Sequence, residues 1–255
     1  MRNLGILVLV IIIGAGAFFA GKSSSDDLTT PNQVNSDANI DALIAKWVDE
    51  NPQKILDSVI KMQQEQSVEQ NENAQQNVSL KQDELYNDNS DPVHNKDNFD
   101  IAVVEFFDYN CGYCKRVQKD IQKLVAGDKR VKIVFKEFPI LGKSSEDLSK
   151  VAIAVNLVNP DKYLDFHLEL LKSSISSKDG AIDLAGKIGV DVAELKRTLD
   201  GKDSEIQAKI NANRQLAAAV GINGTPAFII GQEIIPGAVS YEALKDKIDA
   251  ARSAK

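Results

Sequence analysis

The residues of this chain whose types and spacing can do chemistry are Cys111-Gly112-Tyr113-Cys114. Two thiols two residues apart can close into a disulfide and open again, because a thiolate attacks a bridge and the second sulfur completes the exchange. The chain has 2 cysteines and both are here, so none is left over for stapling the fold. An attacking thiol must be held as thiolate, and the flanking sequence supplies a means. Val103-Val104-Glu105-Phe106-Phe107 is a near-continuous apolar run that reads as a strand buried on both faces, ended by the polar turn Asp108-Tyr109-Asn110. Beyond the motif, Val117, Ile121, Leu124 and Val125 recur at helical spacing, and Gly127 suits a C-terminal cap. The cysteines therefore open a helix, whose unpaired amides and dipole favour negative charge. This placement predicts Cys111 as the exposed attacker ahead of the first turn and Cys114, one turn in and partly covered, as the resolving thiol. The alternatives are an inert bridge, which across so short a loop would stabilise little, and a zinc site. The latter would have to recruit His94 and His167, which lack ligand-like spacing, and no metal is expected.

One acid stands out in the strand. Glu105, six residues before Cys111, is embedded among apolar residues, where ionisation is costly and the carboxyl pKa should rise, unless the position is an edge open to water. Further along, Gly224-Thr225-Pro226 forms a tight approach to a strand, where a cis bond is plausible.

Residues 106–115 together with Gly224-Thr225-Pro226 resemble the DsbA family of thioredoxin-fold periplasmic oxidoreductases, and within it the branch of the suppressor-of-copper-sensitivity C proteins and the Com1-like outer-membrane proteins. The resemblance runs from about Asp91 to the C-terminus and, more loosely, over an N-terminal helical stretch. It implies an α/β protein, a thioredoxin fold with a helical insertion, in which Thr225-Pro226 is a cis-proline loop against the cysteine pair. Thr225 would offer backbone groups to an extended substrate strand, Pro226 would keep metal ions from the thiolates, and Gly112 and Tyr113 complete the implied substrate-binding residues. Glu105 would be a buried acid that accepts or relays the proton when Cys114 attacks, with Lys136 on the neighbouring strand as a candidate partner. No cofactor is implied beyond the redox-active Cys111–Cys114 pair. The implied partners are unfolded or misfolded exported proteins and a membrane redox partner of unknown identity. Gly112-Tyr113 lacks the histidine found between the cysteines of strongly oxidising members, which points to a milder oxidant, nearer to disulfide shuffling. The alternative function is a thiol-based copper-binding or chaperone protein of the cell envelope.

The rest of the chain must position or deliver this site. At 255 residues, with 43% hydrophobic and 26% charged, it can bury a sizeable core. A net charge of -7 argues against nucleic acid and anionic membrane surfaces as electrostatic partners. Residues 1–21 read as a signal peptide or membrane anchor: Arg2 precedes the uncharged apolar run Leu4 to Ala20, and Ala15-Gly16-Ala17 offers a cleavage site. Either way the remainder is exported to the periplasm or cell envelope, where disulfides persist. Residues 22–39 read as a disordered lead.

Residues 40–86 read as a helical oligomerisation arm and linker. Ile40, Leu43, Ile44, Trp47 and Val48 form one apolar stripe; after Asn51-Pro52, Ile55, Leu56, Val59 and Ile60 form another. Two such helices are too small for a core of their own, so the stripes dock on the catalytic domain or on copies of themselves. The long polar stretch Gln63 to Asn77 favours copies, the resemblance implies assembly through such a helical stretch, and a trimer is the expected oligomer. The catalytic domain is expected over 91–255. Val131 to Phe138 supplies a strand parallel to the first, residues 144–221 a helical insertion, and Ala227 to Ile235 a hairpin turning at Gly231-Gln232. Tyr241 to Ala251 closes the domain as an amphipathic helix.

Overall fold

The computed structural model describes residues 34–254. The signal or anchor reading, and the lead as far as residue 33, lie outside them. The described chain divides into two units, residues up to Ile60 and residues from Lys61.

Helix α1 (Val34–Glu50) belongs to the first unit, and α2 (Pro52–Leu80) begins in the first and ends in the second. Asn51 separates them, and its side-chain amide donates to the Trp47 carbonyl at 2.8 Å, closing the outgoing end of α1. Helix α1 already begins at Val34, inside the stretch read as a disordered lead. Apolar periodicity marks where a helix buries a face, whereas backbone hydrogen bonding begins before it. The two apolar stripes are exposed: Leu43 is 61% accessible, Ile44 55%, Trp47 49% and Leu56 51%.

The second unit is built on a five-stranded sheet. After α3 (Gln82–Tyr86) come β1 (Val93–His94), β2 (Ile101–Phe107), α4 (Gly112–Gly127) and β3 (Val131–Glu137). Five helices follow: α5 (Lys143–Val158), α6 (Tyr163–Lys172), α7 (Lys178–Lys187), α8 (Val192–Gly201) and α9 (Asp203–Ala219). The hairpin of β4 (Ala227–Ile230) and β5 (Glu233–Pro236) and α10 (Tyr241–Ser253) complete the chain. Strand order is β1-β3-β2-β4-β5. Strands β2 and β3 are parallel, with Ile101 opposite Val131 and Phe107 opposite Glu137; β4 runs antiparallel to β2 on its other side. At the hairpin turn Gly231 has φ 63 while Gln232 stays out of the left-handed region, the type II′ pattern. This is a thioredoxin fold with its helical insertion between β3 and β4.

Side chains alternate across the sheet and build two cores. Val103 and Phe107, with Ile133 and Phe135 of β3 and Phe228 of β4, face α4, α10 and the insertion, and this core includes both cysteines. Val104 and Phe106, with Val134 and Ile229, face the opposite way, and Val78, Leu85, Leu216 and Val220 cover them. Val78 and Leu85 are fully buried, so the domain begins ahead of residue 91, and the end of the segment read as arm and linker belongs to the sheet's second layer. Buried cations fasten this layer: Lys132 Nζ donates to the Tyr86 carbonyl at 2.6 Å, and Lys136 pairs with Asp91, which also faces Lys209 at 2.5 Å. Among the described residues no helix is long and apolar enough to cross a membrane.

Candidate active site

The site lies where β2 hands the chain to α4. Cys111 is the N-cap of α4, with extended backbone (φ -72, ψ 118), and its N–H donates to the Asp108 carbonyl at 3.0 Å. The geometry of this turn depends on the Asp108 side chain, which is fully buried. One of its oxygens accepts from Asn110 N at 2.8 Å, and the other from Ile140 N at 2.8 Å and Leu141 N at 3.0 Å. A single carboxylate thus satisfies three amides and joins the turn before Cys111 to the loop after β3. Asn110 donates to the Ser144 and Ser145 hydroxyls, both at 3.0 Å, and Lys115 to the Ser173 carbonyl at 3.0 Å, fixing the same turn to the insertion.

The peptide bond between Thr225 and Pro226 is cis, and the Cys111 thiol donates to the Thr225 carbonyl at 3.2 Å. Cys111 is 7% accessible rather than openly exposed, because the Thr225 loop lies against it; Cys114, read as partly covered, is 0% accessible. Both stand as free thiols. Their acidities diverge. Cys111 is pulled down to about 5, chiefly by the hydrogen bond from the Cys114 thiol, with the Thr225 side chain and the Cys114 and Tyr113 amides adding donors against the opposing effect of burial. Burial, and then donation to Cys111, push Cys114 far above the ordinary thiol range. Next to the pair, Tyr113 is 57% exposed and Gly112 has open space where a side chain would begin.

Glu105 is fully buried on the cysteine face of β2, and neither of its oxygens has a hydrogen-bond partner among the described residues. Burial raises its pKa to about 8, so it is a neutral acid at pH 7. It lies near enough to Cys114 for its charge to oppose ionisation there. Lys136 is not its partner. In the parallel register Phe106 stands opposite Lys136 and Glu105 opposite Phe135, so the lysine points to the other face, where Asp91 holds it.

Sequence reasoning missed a second buried polar cluster behind the turn. Glu137 accepts from Tyr163 at 2.9 Å and from Tyr109 at 3.2 Å, and the Tyr109 oxygen lies 3.3 Å from His167 Nδ1. The Tyr109–His167 contact ties the ring to this cluster, its donor and acceptor set by the imidazole tautomer. Burial lifts Glu137 to about 8 and lowers His167 to about 3, so the cluster is neutral at pH 7. The one signal in the sequence was an acid at the end of an apolar strand; its partners are supplied by the fold.

Comparison with known proteins gives one consistent result. Residues 102–249 match the DSBA-like thioredoxin domain. The disulfide bond formation protein D of Bacillus subtilis is 28% identical over 167 residues, 62% of this chain and 75% of that protein. Among solved structures, the thiol-disulfide exchange protein alpha-DsbA2 from Wolbachia pipientis is 31% identical with a TM-score of 0.67, over 71% of this chain and 96% of its own. ScsC from Proteus mirabilis, in a transitional conformation, is 26% identical with a TM-score of 0.63, over 86% of this chain and 98% of its own. With a matched domain covering more than half its length, a cis-proline loop against a Cys-x-x-Cys and helices between β3 and β4, the chain is a thiol-disulfide oxidoreductase that belongs to the DSBA-like thioredoxin family.

Proposed function

We propose that the protein is an exported enzyme that forms and rearranges disulfides in other exported polypeptides through Cys111 and Cys114. The observation that carries this reading is the split between the two thiols: one ionised and placed against Thr225, the other buried and neutral. In the oxidised form a substrate thiolate attacks Cys111 Sγ, the Cys111–Cys114 bond breaks, and Cys114 leaves with the electron pair. Buried Cys114 cannot remain a thiolate, and neutral Glu105 is the nearby acid that supplies its proton. A second substrate thiolate then attacks the substrate sulfur of the mixed disulfide and expels Cys111 as a stable thiolate. In the reduced form Cys111 instead attacks a wrong bridge, and Cys114 resolves the complex if the substrate does not, its proton taken by the fraction of Glu105 that has already lost its own, about a tenth at pH 7. A Cys111 pKa of about 5 lies between the roughly 3.5 of the strongest oxidants and the roughly 7 of reductants, which supports a mild oxidant able to do both. A membrane redox partner would then set the working direction.

The arm completes the proposal. Ile40, Leu43, Ile44, Trp47 and Val48 of α1 and Leu56, Val59 and Ile60 of α2 are all exposed, more apolar surface than a lone helix pair leaves in water. Copies of the chain packing these stripes together, most simply as a trimer, would bury them and present several redox centres to one misfolded substrate. Deleting residues up to Gln76, which keeps Val78 and Leu85 in the sheet's second layer, should yield a folded monomer. It should still oxidise dithiols while repair of scrambled ribonuclease falls about tenfold or more. Light scattering and ribonuclease reactivation on both forms check this. A monomeric full-length chain, or a truncated one that repairs equally well, would reduce the arm to a tether.

A further inference from the structure

Beside the cysteine pair runs a groove of about 370 Å³ whose charge is unlike that of the whole chain. It is lined by Tyr113 and Arg116 of α4, by residues 221–227 and by Ile234 and Pro236 of the hairpin. Its lining is apolar or uncharged except at Arg116. That guanidinium lies over Tyr113, 4.9 Å from the ring centre, and no carboxylate among the described residues comes within ion-pair distance of it. Asp120, one turn further along α4, faces Lys123 at 3.8 Å, and the adjacent cation Lys115 is occupied by the Ser173 carbonyl at 3.0 Å. In a chain of net charge -7, the groove next to the reacting sulfur thus carries one uncommitted positive charge.

We infer that Arg116 is a specificity residue of this groove and that the preferred substrates are extended segments with a carboxylate side chain close to the reacting cysteine. The inference rests on the proposed role of Cys111. A substrate sulfur that reaches Cys111 must lie beside Thr225, so its strand runs along the 221–227 loop. Consecutive residues advance about 3.3 Å and alternate in direction, which brings a near neighbour of the cysteine over the Tyr113–Arg116 pair while its other side chains meet apolar surface. The guanidinium carbon sits 4.9 Å from the Tyr113 ring centre, a cation–π contact that holds the group beside the groove, and its planar N–H fork suits bidentate contact with a carboxylate. The long-range field of an acidic protein repels such a segment, so an acidic preference has to arise locally.

The test uses the full-length reduced protein and three short peptides. Each carries one cysteine as its mixed disulfide with 2-thiopyridine, flanked by Glu, Gln or Lys. Cys111 attacks the peptide sulfur, the peptide–pyridyl S–S bond breaks, and thiopyridone is released and followed by absorbance. At low salt the Glu peptide should react about threefold faster than the Gln peptide, and the Lys peptide about threefold slower. Arg116→Glu should invert the order, and Arg116→Gln should flatten it. Near 1 M salt, where the screening length falls to about 3 Å, the wild-type order should collapse. Comparing ratios within each protein removes any change in Cys111 reactivity. Equal rates for the three peptides, or an order unchanged in Arg116→Glu, would overturn the inference while leaving the role of Cys111 intact. No thiopyridone from any peptide would overturn that role and this inference with it.

Discussion

Cys114→Ser should accumulate substrate as a stable mixed disulfide on Cys111, whereas Cys111→Ser should capture almost none. At pH 7 a thiol with a pKa of about 5 is nearly all thiolate, against a few per cent for an ordinary cysteine, and Cys114 is displaced the other way and sealed from solvent. The expected difference in trapped complex is therefore roughly a hundredfold or more. Because the folded-state pKa of Cys111 is depressed, its thiolate, and the stability that ionisation lends the reduced form, persist above the unfolded value and disappear as pH falls through 5. Alkylation of reduced protein should accordingly be flat from about pH 6 upward and half-maximal near pH 5. Covalent complexes counted on non-reducing gels and the alkylation profile are the measurements. Equal trapping by the two variants would end the division of labour between the sulfurs.

Glu105→Gln should raise stability at neutral pH, by an amount that grows as pH rises from 5 to 8. The unfolded carboxyl titrates at 4.5 and the folded one at about 8, so between those values the folded chain holds a proton that the unfolded chain has lost. Stability then falls as pH rises from 4.5 to 8 and levels off above it. At pH 7 about 2.5 pKa units of this are in force, roughly 3 kcal/mol as an upper figure. Glutamine cannot ionise, and its unpaired amide costs about as much in that site as the equally unpaired neutral acid. Glu137 contributes a slope of the same sign, and Cys111 and His167 slopes of the opposite sign, so the quantity to read is the difference between variant and wild type, which should grow by roughly 3 kcal/mol between pH 5 and pH 8. The same change removes the proton donor beside Cys114 and should slow formation and resolution of the mixed disulfide by tenfold or more. Urea midpoints at pH 5 and pH 8, with single-turnover rates at both, check the two effects. An unaltered pH slope would mean that Glu105 is ionised in the folded chain.

What could be read from the residues alone was what is local. The strand ending at Phe107, the turn and the helix carrying Val117, Ile121 and Leu124 lie within a few residues of one another and repeat with a clear period. The insertion was visible as helical pattern between β3 and Thr225-Pro226. Glu105 announced itself as a charge in an apolar run. The rest depends on contacts made across the chain. Tyr109 meets Glu137 and His167 over separations of 28 and 58 residues, and each looks ordinary by itself. Asp108 reads as a turn residue until the loop at Ile140 and Leu141 folds onto it. Val78 and Leu85 are isolated apolar residues in polar surroundings, too few to show a period, yet both are fully buried. The misplacement of Lys136 has the same origin: its facing depends on pairing with Phe106, a fact of register.

That register makes β2 an electrical partition. On one side are Glu105 and the thiols; on the other, Lys136, Asp91 and Lys209 pair with one another. A lysine beside Glu105 would hold the acid ionised and remove the proton that leaving Cys114 requires, whereas a lysine behind the strand can anchor α3 without doing so. One thin sheet thereby keeps paired charges and a neutral buried acid in the same small domain, each shielded from the other.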